Sequence, residues 1–207
     1  MKEPSRLFSY IVAWDAGLAP NPYWDYCTLA VCKPKIRKSA KEGDWIVGIS
    51  PRETGYHLVY AMKVMETLSF DEYFQDGKFE LKKPNMKSSN PKILMGDNFY
   101  EPGEEGSFIQ LPSSHTHYDG SENTQHKQRD LSGEKVLAAM KYYYFGVEGP
   151  TLPTNLSYLE VGRGHRNHFD PSEITETLRF LDKFDEGIHG DPRDLERGVR
   201  WLRNKER

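Results

Sequence analysis

Between residues 114 and 130 the chain sets imidazole, carboxylate and guanidinium groups close together. The run Ser114-His115-Thr116-His117 is followed by Asp119, His126, Arg129 and Asp130. Imidazole exchanges protons near neutral pH, and a carboxylate can orient it or share its proton. His115 and Asp130, with His165 further on, are therefore the candidate catalytic groups if the chain is an enzyme. In an extended stretch His115 and His117 would share one face and make a usable metal pair. That spacing is not diagnostic, and histidines in a polar loop are more often solvated. No metal and no cofactor is expected, with His115 and His117 as the weaker alternative.

Three other clusters suit the gripping of a flat, charged ligand. Gly96-Asp97-Asn98-Phe99-Tyr100 offers a carboxylate and an amide beside two rings, which can read a base edge and stack on its face. The bland reading of Asp97 and Asn98 is an Asx turn. Gly162-Arg163-Gly164-His165-Arg166 lets the backbone approach a ligand while Arg163 and Arg166 fork onto phosphate or carboxylate, unless it is a solvated loop. Arg37 and Lys38 extend this into a local basic patch, and Arg129 adds to the ligand-binding candidates. Gly43-Asp44-Trp45 either shapes a pocket wall or is a helix-ending glycine feeding a core strand. Tyr10, Trp14, Trp45, Phe99 and Tyr100 are candidate aromatic walls.

The remaining candidates read as structural. Cys27 and Cys32, the only cysteines, fall on opposite faces of an expected strand over 28–32, so they cannot bridge and are taken as small core thiols. Unpaired thiols point to a reducing cytoplasm. Arg193, Arg197, Arg200 and Arg203 recur at helical spacing among acids, as on a solvated helix face.

Composition limits the function classes. The chain has 207 residues, 37% apolar, 13% aromatic and 29% charged, with a net charge of −3. The aromatic share is too high for a wholly disordered chain. No run of about 18 apolar residues exists to span a membrane, and the N-terminus lacks a signal-peptide core. A charge of −3 provides no global basic field for coating a polyanion. The P-loop, nucleophile-elbow, zincin and dinucleotide-binding patterns are all missing.

The elements that must position these groups are strands first and helices last. Strands are expected at 8–14, 28–32, 45–49 and 58–65, from aromatic and β-branched runs. A short basic helix is expected at 36–42. Another follows at 70–74, capped by Ser69 with Glu72 in the capping-box position. Residues 76–90 read as a polar excursion, 93–95 as a brief strand, and 113–130 as a long functional or irregular loop. Asp170-Pro171-Ser172-Glu173 starts a helix that carries Ile174, Leu178 and Leu181 on one stripe. Asp191-Pro192-Arg193-Asp194 starts a second, with Leu195, Val199 and Leu202.

Several of these segments together resemble a known family. Gly17-Leu18-Ala19-Pro20-Asn21-Pro22, Cys27 to Arg37, Gly43-Asp44-Trp45-Ile46-Val47-Gly48, Leu58 to Val64, Ser69-Phe70-Asp71-Glu72-Tyr73, Gly96 to Tyr100, Ser114-His115, Arg129-Asp130, Tyr144-Phe145-Gly146 and Gly162-Arg163-Gly164-His165 carry the likeness. They resemble the second nucleotide modification associated domain family, which implies a setting of phage and bacterial nucleotide modification without fixing a reaction. The order helix, Gly-Asp, strand, turn, strand is also similar to PUA-like domains of the EVE and ASCH kind.

The expected fold is therefore α+β. It is a PUA-like mixed or antiparallel β-barrel over 1–168 with short helices, and a C-terminal helical pair over 169–207 packed on the same domain. The first functional reading is recognition of a modified base or nucleotide, in DNA, RNA or free form, in a phage or bacterial DNA-modification or defence context. The alternative is an enzyme acting on a nucleotide or modified base through the His/Asp/Arg cluster. No membrane partner is expected, and the oligomeric state is left open.

Overall fold

A computed structural model describes residues 5–162 and 164–205. At its centre is a six-stranded mixed sheet of β1 (Leu7–Ile11), β3 (Trp45–Ile49), β4 (Leu58–Lys63), β9 (Tyr142–Tyr144), β10 (His165–Arg166) and β11 (Gly187–Ile188), ordered β10-β1-β3-β4-β9-β11. A second sheet orders β2 (Cys27–Leu29), β8 (Val136–Ala139) and β5 (Glu66–Leu68) as β2-β8-β5, and β6 (Tyr100–Pro102) forms a hairpin with β7 (Phe108–Gln110). The helices are α1 (Pro34–Ser39), α2 (Phe70–Gln75), α3 (Pro91–Leu94), α4 (Thr124–Leu131), α5 (Pro171–Leu181) and α6 (Leu195–Lys205).

Strand alternation explains the layering. Phe8, Tyr10, Ile46, Tyr60, Met62 and Tyr144 point from the main sheet onto β2, β8 and α1. Leu7, Trp45, Val47, Ala61 and Tyr143 point the other way, onto Leu156, Leu159 and the apolar stripe of α5. Successive side chains on a strand face opposite sides, so both faces of this sheet are buried and its strands read as continuous apolar runs. Val136 and Ala138, on the outer face of β8, meet Phe70, Tyr73, Phe79, Phe99 and Tyr100. The last helix, α6, packs on α3 through Leu94, Met95, Val199 and Leu202.

The mixed α and β content agrees with the expected class, but the sheets do not close into a barrel among the described residues. The main sheet ends in two-residue edge strands, β10 and β11, which pair only with β1 and β9. The capping box at Ser69 forms as expected: Glu72 N–H donates to Ser69 Oγ at 3.1 Å and Ser69 N–H to Glu72 Oε2 at 2.7 Å.

Three local expectations are corrected. Residues 91–94 are helical, because Asn90 accepts from Lys92 N–H and Pro91 stands at a first-turn position that suits its fixed φ. The expected loop at 113–130 contains α4, whose polar face gave no hydrophobic period to read. The second strand ends at Leu29, so Cys32 lies in a turn rather than in that strand. No helix among the described residues is long and apolar enough to cross a membrane.

Candidate active site

Beyond β2 the chain enters α1 through an unusual turn. Cys32 and Lys33 both hold left-handed backbone conformations, with φ of 58° and 39°. Neither is glycine, so the turn stores strain of the kind that persists only where surrounding contacts impose it. Those contacts are visible. The Cys32 N–H donates to Asp130 Oδ1 at 2.9 Å, and Arg37 Nε, further along α1, donates to the Cys32 carbonyl at 2.8 Å. The rest of the Arg37 guanidinium donates to the Lys135 carbonyl at 2.7 Å and to the Asp130 carbonyl.

Arg37 is therefore a fully buried clamp between two chain segments, not a phosphate contact. A buried guanidinium is tolerable only when its donors are satisfied. Here three backbone carbonyls take one N–H from each of its three nitrogens. Burial lowers its pKa to about 10 despite the neighbouring Asp130 charge. Gly133 makes the space, since a Cβ there would lie 2.4 Å from the guanidinium carbon.

Asp130, on α4, is the hub. Its Oδ1 takes the Cys32 N–H, while Oδ2 takes the Tyr100 hydroxyl at 2.9 Å and His115 Nδ1 at 2.6 Å. An ionised carboxylate only accepts, so Nδ1 carries a proton and Nε2 is left facing outward. Nε2 lies 3.9 Å from Cys32 Sγ. Thiol, imidazole and carboxylate thus stand in line, the arrangement that activates a cysteine nucleophile. Burial opposes charge on His115, but its hydrogen bonds to Asp130 and with Cys32, and their charges, outweigh it and raise its pKa to about 9. Burial likewise opposes the charge on Asp130. The hydrogen bond and charge of His115, with the Cys32 and Tyr100 donors, still hold its pKa below the usual carboxylate range. His115 packs edge-on against Phe99, and Gln110 steadies Tyr100 from Nε2 at 3.3 Å.

His115 opens onto a cleft of about 320 Å³, lined also by Trp14, Leu18, Met95, Ser114, Arg197 and Trp201. Arg129 stands at the rim of the hub, half-exposed, with Nε 3.7 Å from Asp130 Oδ1.

The other sequence candidates lie elsewhere or are committed to the fold. Tyr10 is buried, its hydroxyl 2.9 Å from that of Tyr60. Trp45 is a core residue stacked on Tyr143. Asp97 takes hydrogen bonds from Tyr73 and Thr28, both at 2.7 Å, and Asn98 donates to the carbonyls of Tyr73 and Phe79. These side chains present no open hydrogen-bonding edge to a base.

Arg166 grips Glu173 with two bonds and ties β10 to α5. His165 lies against Phe8 on the edge strand and takes no part in the Asp130 network among the described residues. Gly164 lines a separate cavity of about 370 Å³ beside Lys33, and Arg163 lies outside the described residues. His117 is exposed while His115 is buried, which splits that pair. Among the described residues no group of three or more His, Cys, Asp or Glu is placed to hold a metal.

Sequence reasoning missed Cys32 as a reactive group. One signal was available: Pro34 directly after Cys32-Lys33 marks the first turn of a helix, so Cys32 had to lie where strand gives way to helix.

A family model described as nucleotide modification associated domain 2 matches residues 4–198. No curated protein and no solved structure matches the chain. The chain belongs to the nucleotide modification associated domain 2 family.

Proposed function

We propose that this member of the family is a thiol-dependent enzyme acting on a nucleotide or modified base. Cys32 is the nucleophile, His115 its acid–base partner and Asp130 the group that orients the imidazole. The observation that carries this is the line from Cys32 Sγ to His115 Nε2 at 3.9 Å and from His115 Nδ1 to Asp130 Oδ2 at 2.6 Å. Such contacts often tighten only when substrate is bound.

The chemistry follows from the groups present. The Cys32 sulfur attacks an electrophilic carbon of the substrate, its own proton held on His115 Nε2. A carbon–sulfur bond forms as the electrons of the carbon's π bond move onto the neighbouring atom. The Nε2 proton then passes to the atom that has received those electrons. With its pKa raised to about 9, His115 holds this proton at neutral pH. Tyr100 and the Cys32 N–H keep Asp130 from turning away during the transfer.

Base recognition belongs to this reading as its binding step. A reader built on Asp97 and Asn98 is less favoured, because their polar atoms are used inside the fold. A reducing cytoplasm, in a phage or bacterial DNA-modification or defence setting, would keep Cys32 as a thiol. We take 169–207 as an extension of the same domain, since Ile174, Leu178 and Leu181 of α5 join the main-sheet core.

Alkylation with iodoacetamide, read by mass spectrometry, tests the assignment, with buried Cys27 as internal control. Cys32 should be modified in the native protein, and His115→Ala and Asp130→Asn should each slow the reaction at neutral pH by about tenfold or more. An alkylation rate unchanged by both substitutions would overturn it.

A further inference from the structure

We infer that the cleft beside His115 is a mononucleotide site, in which a base stacks on Trp14 or Trp201 and the phosphate meets Arg197. The inference rests on the thiol-enzyme reading only for the statement that this cleft, which Cys32 does not itself line, reaches it through His115 3.9 Å away.

The first observation concerns exposure. Trp14 and Trp201 are 45% and 42% exposed, whereas Trp45 in the core is 4% exposed. Both line the cleft that His115 lines. Tyr118, also strongly exposed, lines a separate cavity with Ser113 and Leu202 and takes no part in this one. Exposed aromatic surface gathered beside an acid–base residue is suited to stacking a flat heterocycle.

The second observation is that the arrangement is built. The Asp15 N–H donates to Asp194 Oδ2 at 2.9 Å, the Asp194 N–H to the Asp15 carbonyl at 2.6 Å, and Arg193 to the Ala13 carbonyl at 2.7 Å. These bonds fasten the chain on both sides of Trp14 to the start of α6. Gly198 lets α6 close in, because a Cβ there would lie 2.7 Å from Met95 Cε and 3.1 Å from Ala16 Cβ. The result places the Arg197 guanidinium 4.8 Å from the Trp14 ring centroid. That planar cation already occupies the face a base would take. A base arriving there releases Arg197 toward the phosphate that comes with it.

The third is an orphaned polar atom. Ser114 Oγ is buried without a hydrogen-bond partner among the described residues, and Ser114 lines the cleft next to His115. A buried hydroxyl left unpaired is costly unless a ligand supplies the bond.

Size and charge select the free nucleotide over a strand. A volume of about 320 Å³ lies at the small end of ligand pockets, which run from about 300 to 1,000 Å³. The net charge of −3 offers no field to hold a polyanion.

The test is a tryptophan-fluorescence titration of the full chain with the eight common ribonucleoside and deoxyribonucleoside 5′-monophosphates and a twelve-nucleotide single strand. At least one monophosphate should quench saturably. Trp201→Leu and Arg197→Gln should each weaken it about tenfold. The bound monophosphate should also protect Cys32 from iodoacetamide. Absence of saturable binding by every monophosphate, binding by the strand alone, unchanged affinity in both cleft variants, or binding without protection would each overturn the inference. None of these results bears on whether His115 and Asp130 govern Cys32 alkylation, so the two readings fail separately.

Discussion

The backbone N–H of Cys32 and the carboxylate of Asp130, 98 residues apart in the chain, are joined by a 2.9 Å hydrogen bond. The second oxygen of that carboxylate holds His115 at 2.6 Å. One side chain therefore fixes both the turn that presents the thiol and the imidazole that faces it. Thiol and imidazole cannot drift independently, and the strain at Cys32 is held by the same group that orients its partner.

Asp130→Asn should remove a pH-dependent part of the stability. The His115 pKa rises from its ordinary 6.5 to about 9 on folding. A base with a raised folded pKa contributes stability that is complete below its unfolded value and is lost as pH rises through the folded one. Asp130 is shifted downward, so its own contribution is present above the ordinary carboxylate range and is lost as pH falls. The gap between parent and Asp130→Asn, measured by denaturant unfolding, should be widest between the two ranges, near pH 6. It should shrink by roughly 3 kcal/mol or less toward pH 9. Parallel curves across that window would contradict the coupling.

Gly133→Ala should loosen the pairing of Cys32 with His115 from a distance. The new methyl would lie 2.4–2.5 Å from three guanidinium atoms of Arg37, so the clamp must shift. The expected loss is about 2 to 4 kcal/mol, as for a buried charge whose partners are disturbed. Cys32 alkylation should change in step with the melting temperature. A Gly133→Ala protein that melts and reacts like the parent would show that Arg37 is not the constraint.

Substitution of Asp97 should act on folding. Burial raises its pKa, opposed by the Lys82 charge and by the Tyr73 and Thr28 hydroxyls. Lys82 is fully buried and donates to the Asn21 side chain and to the carbonyls of Asn21 and Tyr26. Asp97→Ala leaves the buried Tyr73 and Thr28 hydroxyls without their acceptor and should cost about 1 to 3 kcal/mol. Urea unfolding reads this directly. An unchanged midpoint together with weakened nucleotide binding would instead return Asp97 to the binding surface.

Asp15 should make the cleft sensitive to mild acid. Burial raises its pKa to about 6, although Tyr144, the Gly17 N–H and Arg193 favour the charged form. An acid with a raised folded pKa contributes stability below its unfolded value of 3.8, and that contribution is lost as pH rises through about 6. Relative to Asp15→Asn, the parent should gain stability as pH falls from 7 to 4. Thermal melts at several pH values would show this, and a constant difference would rule it out.

Some of the architecture was legible because it is local. The apolar strand runs at 45–49 and 58–63, the capping box at Ser69 and the Pro171 start of α5 depend on neighbours a few residues away. So did the chemical character of His115 and Asp130. The polar helix α4 was not legible, because a helix that buries only Asp130 completely carries no apolar stripe. Nor was the role of Arg37. The same guanidinium suits a phosphate or three carbonyls, and only the approach of residues 130–135 decides between them. Cys32 makes the division plainest. Its sequence marks a thiol before a helix start, while its strain, its partner 3.9 Å away and the carboxylate behind that partner are long-range contacts, which exist only once the chain has folded.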